Sequence, residues 1–111
     1  IRPGRRTVAL SEYGGIAWPM PGHEPPGKTY GYGTAKDKAD LTKRYKMLQW
    51  KTILPQLGRG LSALVYTLLT DVEDEVNGLF TYDRAALKPE AAAVRSCNAA
   101  LAAEFAKATA K

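Results

Sequence analysis

The chain has 111 residues, 45% of them hydrophobic and 24% charged, with a formal net charge of +5. That is enough apolar material for one small domain or a part of a larger one, and no apolar run approaches the roughly 20 residues needed to span a bilayer. Cys97 is the single cysteine, which excludes an intrachain disulfide and a cysteine zinc site.

The basic residues are scattered over Arg5/Arg6, Lys36/Lys38, Lys43/Arg44/Lys46 and Lys51, with a thin spread to Lys111. They form no stripe with exposed aromatics, so they read as solvated faces, and neither a nucleic-acid nor a membrane partner is expected. Ile1 to Ala9 has no signal-peptide pattern. The absence of an initiator Met predicts that the natural N-terminus lies elsewhere.

In chain order, Thr7 to Leu10 is a short apolar, partly β-branched run that ends at Ser11-Glu12-Tyr13-Gly14-Gly15. A continuous apolar run stopped by glycines suits a strand buried on both faces of a parallel sheet. Residues 16–39 hold Pro19, Pro21, Pro25 and Pro26 among four glycines, which predicts a long irregular loop. Its aromatics Trp18, Tyr30 and Tyr32 argue for an ordered one. From Asp40, placed as an N-cap, Leu41, Tyr45, Leu48 and Thr52 recur with helical spacing, and Pro55 is expected to kink or end that helix.

Leu61 to Leu69 reads as a second buried strand, and Asp71 to Glu75 is an acidic segment before the turn signal Asn77-Gly78. Lys88-Pro89-Glu90 opens a last helix to about residue 108, whose face is Val94, Cys97, Leu101 and Phe105, and the ten alanines between residues 91 and 110 favour helix. The order βαβα implies two parallel strands joined by a crossover. Two such strands lack sheet neighbours, so further strands are expected from more chain or from another copy.

Sites on parallel sheets form beyond the C-terminal strand ends. Glu12 occupies that place after the first strand, and Tyr66, Thr67 and Asp71 after the second. A carboxylate there, backed by two glycines, is poorly explained by packing.

Residues 11–15 resemble the nucleophile segment of glycoside hydrolase family 2, the β-galactosidases, β-glucuronidases and β-mannosidases. Gly22-His23 with Tyr30-Gly31-Tyr32 is similar to the loop that follows in that family. Residues 60–67 are similar to its last barrel strand, and residues 71–78 with Thr81-Tyr82-Asp83-Arg84 to the loop that closes the barrel. The resemblance covers residues 7 to 84. It implies an α/β fold, the C-terminal two βα units of a (β/α)8 TIM barrel, incomplete on its own, with residues 88–108 as the final helix. It also implies a parent enzyme that hydrolyses β-linked sugars with retention, using Glu12 as nucleophile.

Tyr13, His23, Tyr66 and Asp71 are the expected carbohydrate contacts, and Trp18 is a further candidate for stacking on sugar. No cofactor is expected. No metal is expected either, since Asp71, Glu73, Asp74 and Glu75 lack EF-hand spacing. The family's acid/base Glu follows an Asn, and this sequence contains no Asn-Glu pair. The chain is therefore expected to be inactive alone. The alternative is a non-catalytic carbohydrate-binding or assembly module.

Overall fold

The computed structural model describes residues 7–24, 27 and 33–110. Strand β1 (Val8–Gly14) is followed by helix α1 (Lys38–Met47), which runs through a π-helical stretch (Leu48–Ile53) into the short α2 (Leu54–Leu57). Strand β2 (Leu61–Thr67) and helix α3 (Ala91–Thr109) complete the order. The strands pair in parallel, so two βα units of an α/β fold are present as the element order predicts.

The barrel end itself is not what the chain forms. Its sheet has two strands, β1 and β2, and does not close. A (β/α)8 barrel needs eight tilted strands with matched shear, far more than 111 residues supply.

Burial on both strand faces is also corrected. Ile53, Leu57 and Leu61 form a core against which Val8, Leu10, Tyr13, Leu48, Leu64 and Leu101 pack, so the helices cover one side only. Ala9, Ser11, Ser62, Ala63 and Val65 on the other side are exposed, Val65 to 57%. The short apolar runs that suggest double burial mix large side chains on the covered face with small ones on the bare face.

Asp37, not Asp40, caps α1: its extended backbone leads in and its carboxylate accepts from the Asp40 N–H at 2.7 Å. Asp40 lies in the first turn, where it accepts from the Lys36 N–H and from Arg44 Nε. Further along, Pro55 has no N–H to give to the carbonyl four residues back. The helix widens just before it, and the Leu54 N–H reaches the Gln49 carbonyl, five residues back.

That wider turn changes the buried face. Leu41 and Tyr45 are buried as their spacing predicts and Gln49 continues that face, but Ile53 then turns inward and Thr52 is left exposed. Ile53→Ala is expected to cost roughly 2–5 kcal/mol, and Thr52→Ala under about 0.5. Urea unfolding of the two variants checks this, and equal losses would refute the phase shift.

The last helix starts at Ala91, with Pro89 outside it. On its expected face Cys97 is buried, Val94 and Leu101 are half-buried and Phe105 is 39% exposed.

The described part of the long loop is anchored at both ends. Ala17 donates to the Gly33 carbonyl, Ala35 to the Ala17 carbonyl and Trp18 to the Val76 carbonyl, all at 2.7–2.8 Å. Trp18, Ala35 and Leu41 form a second small core with Ile16 and Met20 against it. The loop is thereby fastened both to the start of α1 and to the segment after β2.

Candidate functional site

Strand β1 runs on through Glu12 to Gly14 instead of ending before it. Strict alternation would put residue 12 on the same face as Val8 and Leu10, under the helices. The register prevents that: Leu10 pairs with Leu64 and Tyr13 with Tyr66, so β1 has one extra residue between these pairs. This bulge leaves Ser11 and Glu12 exposed and returns Tyr13 to the helix side.

Glu12 consequently lines an open cleft of about 360 Å³ with Ser11, Val65, Tyr66, Thr67, Leu68 and Leu69. It is the one carboxylate among these lining residues. No ion pair involves it among the described residues.

Below the cleft the aromatics are engaged in packing. The Tyr66 ring meets Tyr13 edge-on at 5.3 Å and Tyr45 at 5.4 Å. Gly14 lies directly against it. With φ at +85°, a Cβ there would run into the Tyr66 ring, so only glycine permits this approach. Tyr66 thus borders the cleft with its ring held in contact with Gly14, Tyr13 and Tyr45, rather than free as a stacking platform.

Tyr13 points to the helices, where its hydroxyl donates to Gln49 Oε1 at 3.2 Å. Burial pushes the Tyr66 phenol well above its ordinary 10.0, with Tyr45 and Tyr13 adding to the rise and the Gly15 backbone opposing it. Burial likewise raises Tyr13 and Tyr45 against the opposing hydrogen bonds to Gln49.

A phenol whose folded pKa is raised holds its proton after the unfolded chain has released it, so the stability it contributes is lost as pH rises. Folding stability is therefore expected to be insensitive to these phenols below about pH 10 and to fall steadily above it. Urea midpoints measured from pH 8 to 11 check the sign.

Asp71 occupies a different environment from the one expected of a sugar contact. It is 1% exposed in its side chain and pairs with the 0% exposed Lys88 at 2.8 Å. The Lys88 ammonium also donates to the carbonyls of Trp18 and Val76, at 2.9 and 2.8 Å. Asp71 accepts from the Gly78 N–H at 2.8 Å as well. A Cβ on Gly78 would strike backbone atoms of Thr70 and Asp71 at 2.5 Å, so this closure too requires glycine. Burial pulls the Lys88 pKa down, while the Asp71 carboxylate at its side acts against that.

The hub ties the loop at Trp18 to the acidic turn and to the lead-in of α3. Asp71 is thus structural, and so is Trp18, whose ring is buried with Ala35 and Leu41.

His23 Nδ1 lies 2.7 Å from an Asp83 carboxylate oxygen, both side chains about one-third exposed. Asp83 accepts from the Thr81 hydroxyl at 2.5 Å and the Ala85 N–H at 3.0 Å. These bonds, the Thr81 one foremost, hold its pKa far below the usual carboxylate range. An anchored Asp83 orients the imidazole and leaves Nε2 for another group.

Tyr30 to Tyr32 lie outside the described residues. Among the described residues no group of three His, Cys, Asp or Glu is placed to hold a metal ion, and no helix is long and apolar enough to cross a membrane.

Sequence reasoning missed Lys88, Asp83 and Gln49. Lys88 reads as an ordinary lysine before Pro89, Asp83 was visible only as part of the Thr81–Arg84 block, and Gln49 is a polar residue on the Leu41/Tyr45 helix face that hydrophobic spacing passes over. The chain matches no family model and no curated protein.

Proposed function

We propose that the chain supplies the nucleophile, Glu12, to a retaining glycoside hydrolase that cleaves β-linked sugars of the β-galactosidase and β-glucuronidase kind. The observation that carries this reading is the β1 bulge, which turns a carboxylate out of a packed strand into the cleft at the C-terminal strand ends. The likeness of residues 11–15, 60–67 and 71–84 to glycoside hydrolase family 2 supports it further.

In this reading the Glu12 carboxylate attacks the anomeric carbon as the bond to the leaving oxygen breaks, giving a glycosyl ester. Water then releases the sugar with net retention. The leaving oxygen takes its proton from a second carboxyl group about 5–5.5 Å from the first. The cleft holds Glu12 alone, so that group comes from chain beyond these residues or from another copy, and the 111 residues by themselves hydrolyse nothing. The same partner covers the bare face at Ala63 and Val65. His23, steered by Asp83, offers Nε2 to a sugar hydroxyl.

The test is labelling of the complete protein with a 2-fluoro glycosyl fluoride followed by peptide mapping. The label is expected on the peptide containing Glu12. Sugar binding with neither turnover nor label would instead favour a non-catalytic carbohydrate-binding module.

A further inference from the structure

Behind Glu12, on the opposite side of β1, four side chains form one directed hydrogen-bond chain. The Tyr13 hydroxyl donates to Gln49 Oε1 at 3.2 Å, Gln49 Nε2 donates to the Tyr45 hydroxyl at 3.0 Å, and that hydroxyl donates to Asn98 Oδ1 at 3.2 Å. Each donation leaves the next group a single orientation, so the chain has one consistent polarity. It runs from the residue after Glu12, through the π-helical turn, to α3.

Gln49 and Tyr45 are each 2% exposed, which makes an unpaired alternative costly. Gln49 follows Tyr45 by four residues and so continues the buried face of the helix.

We infer that Gln49 is a positioning residue for Glu12: it holds the Tyr13 hydroxyl and thereby the bulge that aims the Glu12 carboxylate into the cleft. The inference rests on Glu12 being the nucleophile. A bulged residue has no fixed ladder partner, so its direction depends on its neighbour's anchor. Tyr13 has two anchors, the edge contact of its ring with Tyr66 and the hydrogen bond of its hydroxyl to Gln49. The first fixes the ring's place and the second its height above the helix.

The experiment compares Tyr13→Phe, Gln49→Leu and the double variant in the complete protein, with Glu12→Gln as reference, on an aryl β-glycoside. Active enzyme is counted by titration with a 2-fluoro glycosyl fluoride, so loss of folded protein does not enter kcat. A misaimed nucleophile is expected to lower kcat about 10- to 100-fold with KM within about twofold. The double variant is expected to lose no more than the worse single one, since both remove the same link.

Tyr13→Phe keeps the ring and its packing, so it decides the matter if Gln49→Leu does not fold. A titrated kcat for Tyr13→Phe within twofold of the parent overturns the positioning role while leaving Glu12 as nucleophile. Turnover persisting in Glu12→Gln removes the nucleophile reading and this inference with it.

Discussion

Glu12→Gln in the complete protein is expected to lower turnover of β-glycosides by several orders of magnitude while sugar affinity largely survives. The amide is nearly the same size and still lines the cleft, but it lacks the charge needed to attack the anomeric carbon. The loss therefore falls on the transition state, and kcat and kcat/KM drop together. In Glu12→Ala, azide is expected to restore part of the activity by entering the vacated space and attacking the same carbon. The glycosyl azide formed has inverted configuration, because one displacement replaces two. Chiral product analysis by NMR reads this directly. If Glu12→Gln stays active, Glu12 is a strand residue that happens to face solvent.

Lys88→Met is expected to cost about 3–5 kcal/mol, since it leaves the Asp71 carboxylate enclosed with only the Gly78 N–H as partner. The Trp18 and Val76 carbonyls lose their shared donor as well, so the loop and the acidic turn come apart together. Asp71→Asn is expected to be milder, because the amide oxygen can still accept from Lys88. The double variant Lys88→Met/Asp71→Leu is expected to recover part of the loss, because removing both charges also removes their desolvation cost. Urea unfolding followed by circular dichroism checks all three. A Lys88→Met loss under about 1 kcal/mol would mean that water reaches Asp71 and the hub is not closed.

A structural loss at Lys88 and a chemical loss at Glu12 are separable by measurement. The first shifts the unfolding midpoint and the second leaves it in place. This contrast matters for Asp71, whose position after β2 invites a role in sugar binding, whereas its contacts are those of a buried ion pair. His23 differs again: Asp83 orients it, but it remains one-third exposed, and His23→Ala is informative only in the presence of substrate.

The α/β class, the parallel pairing of the two strands and the placement of Glu12 near a strand end were all legible in the residues. Apolar runs cut by glycines and a helical repeat from Leu41 are local patterns, and local patterns survive without tertiary context. The closure into a barrel was not legible as a property of this chain. The sheet has two strands, β1 and β2, which keep one bare face.

Beyond these elements, the sequence alone singled out candidate residues: one histidine, and a carboxylate two positions before a Gly-Gly pair. Only the tertiary structure decided where they face. One extra residue in β1 separates Glu12 from Val8 and Leu10, and one wider turn before Pro55 exchanges Thr52 for Ile53. A single-residue change of phase is invisible to periodicity, because the side-chain pattern on either side of it is unaltered. The pairing of Asp71 with Lys88, seventeen positions apart, was likewise fixed by packing, since a lysine is enclosed only where carbonyls and a carboxylate converge on it.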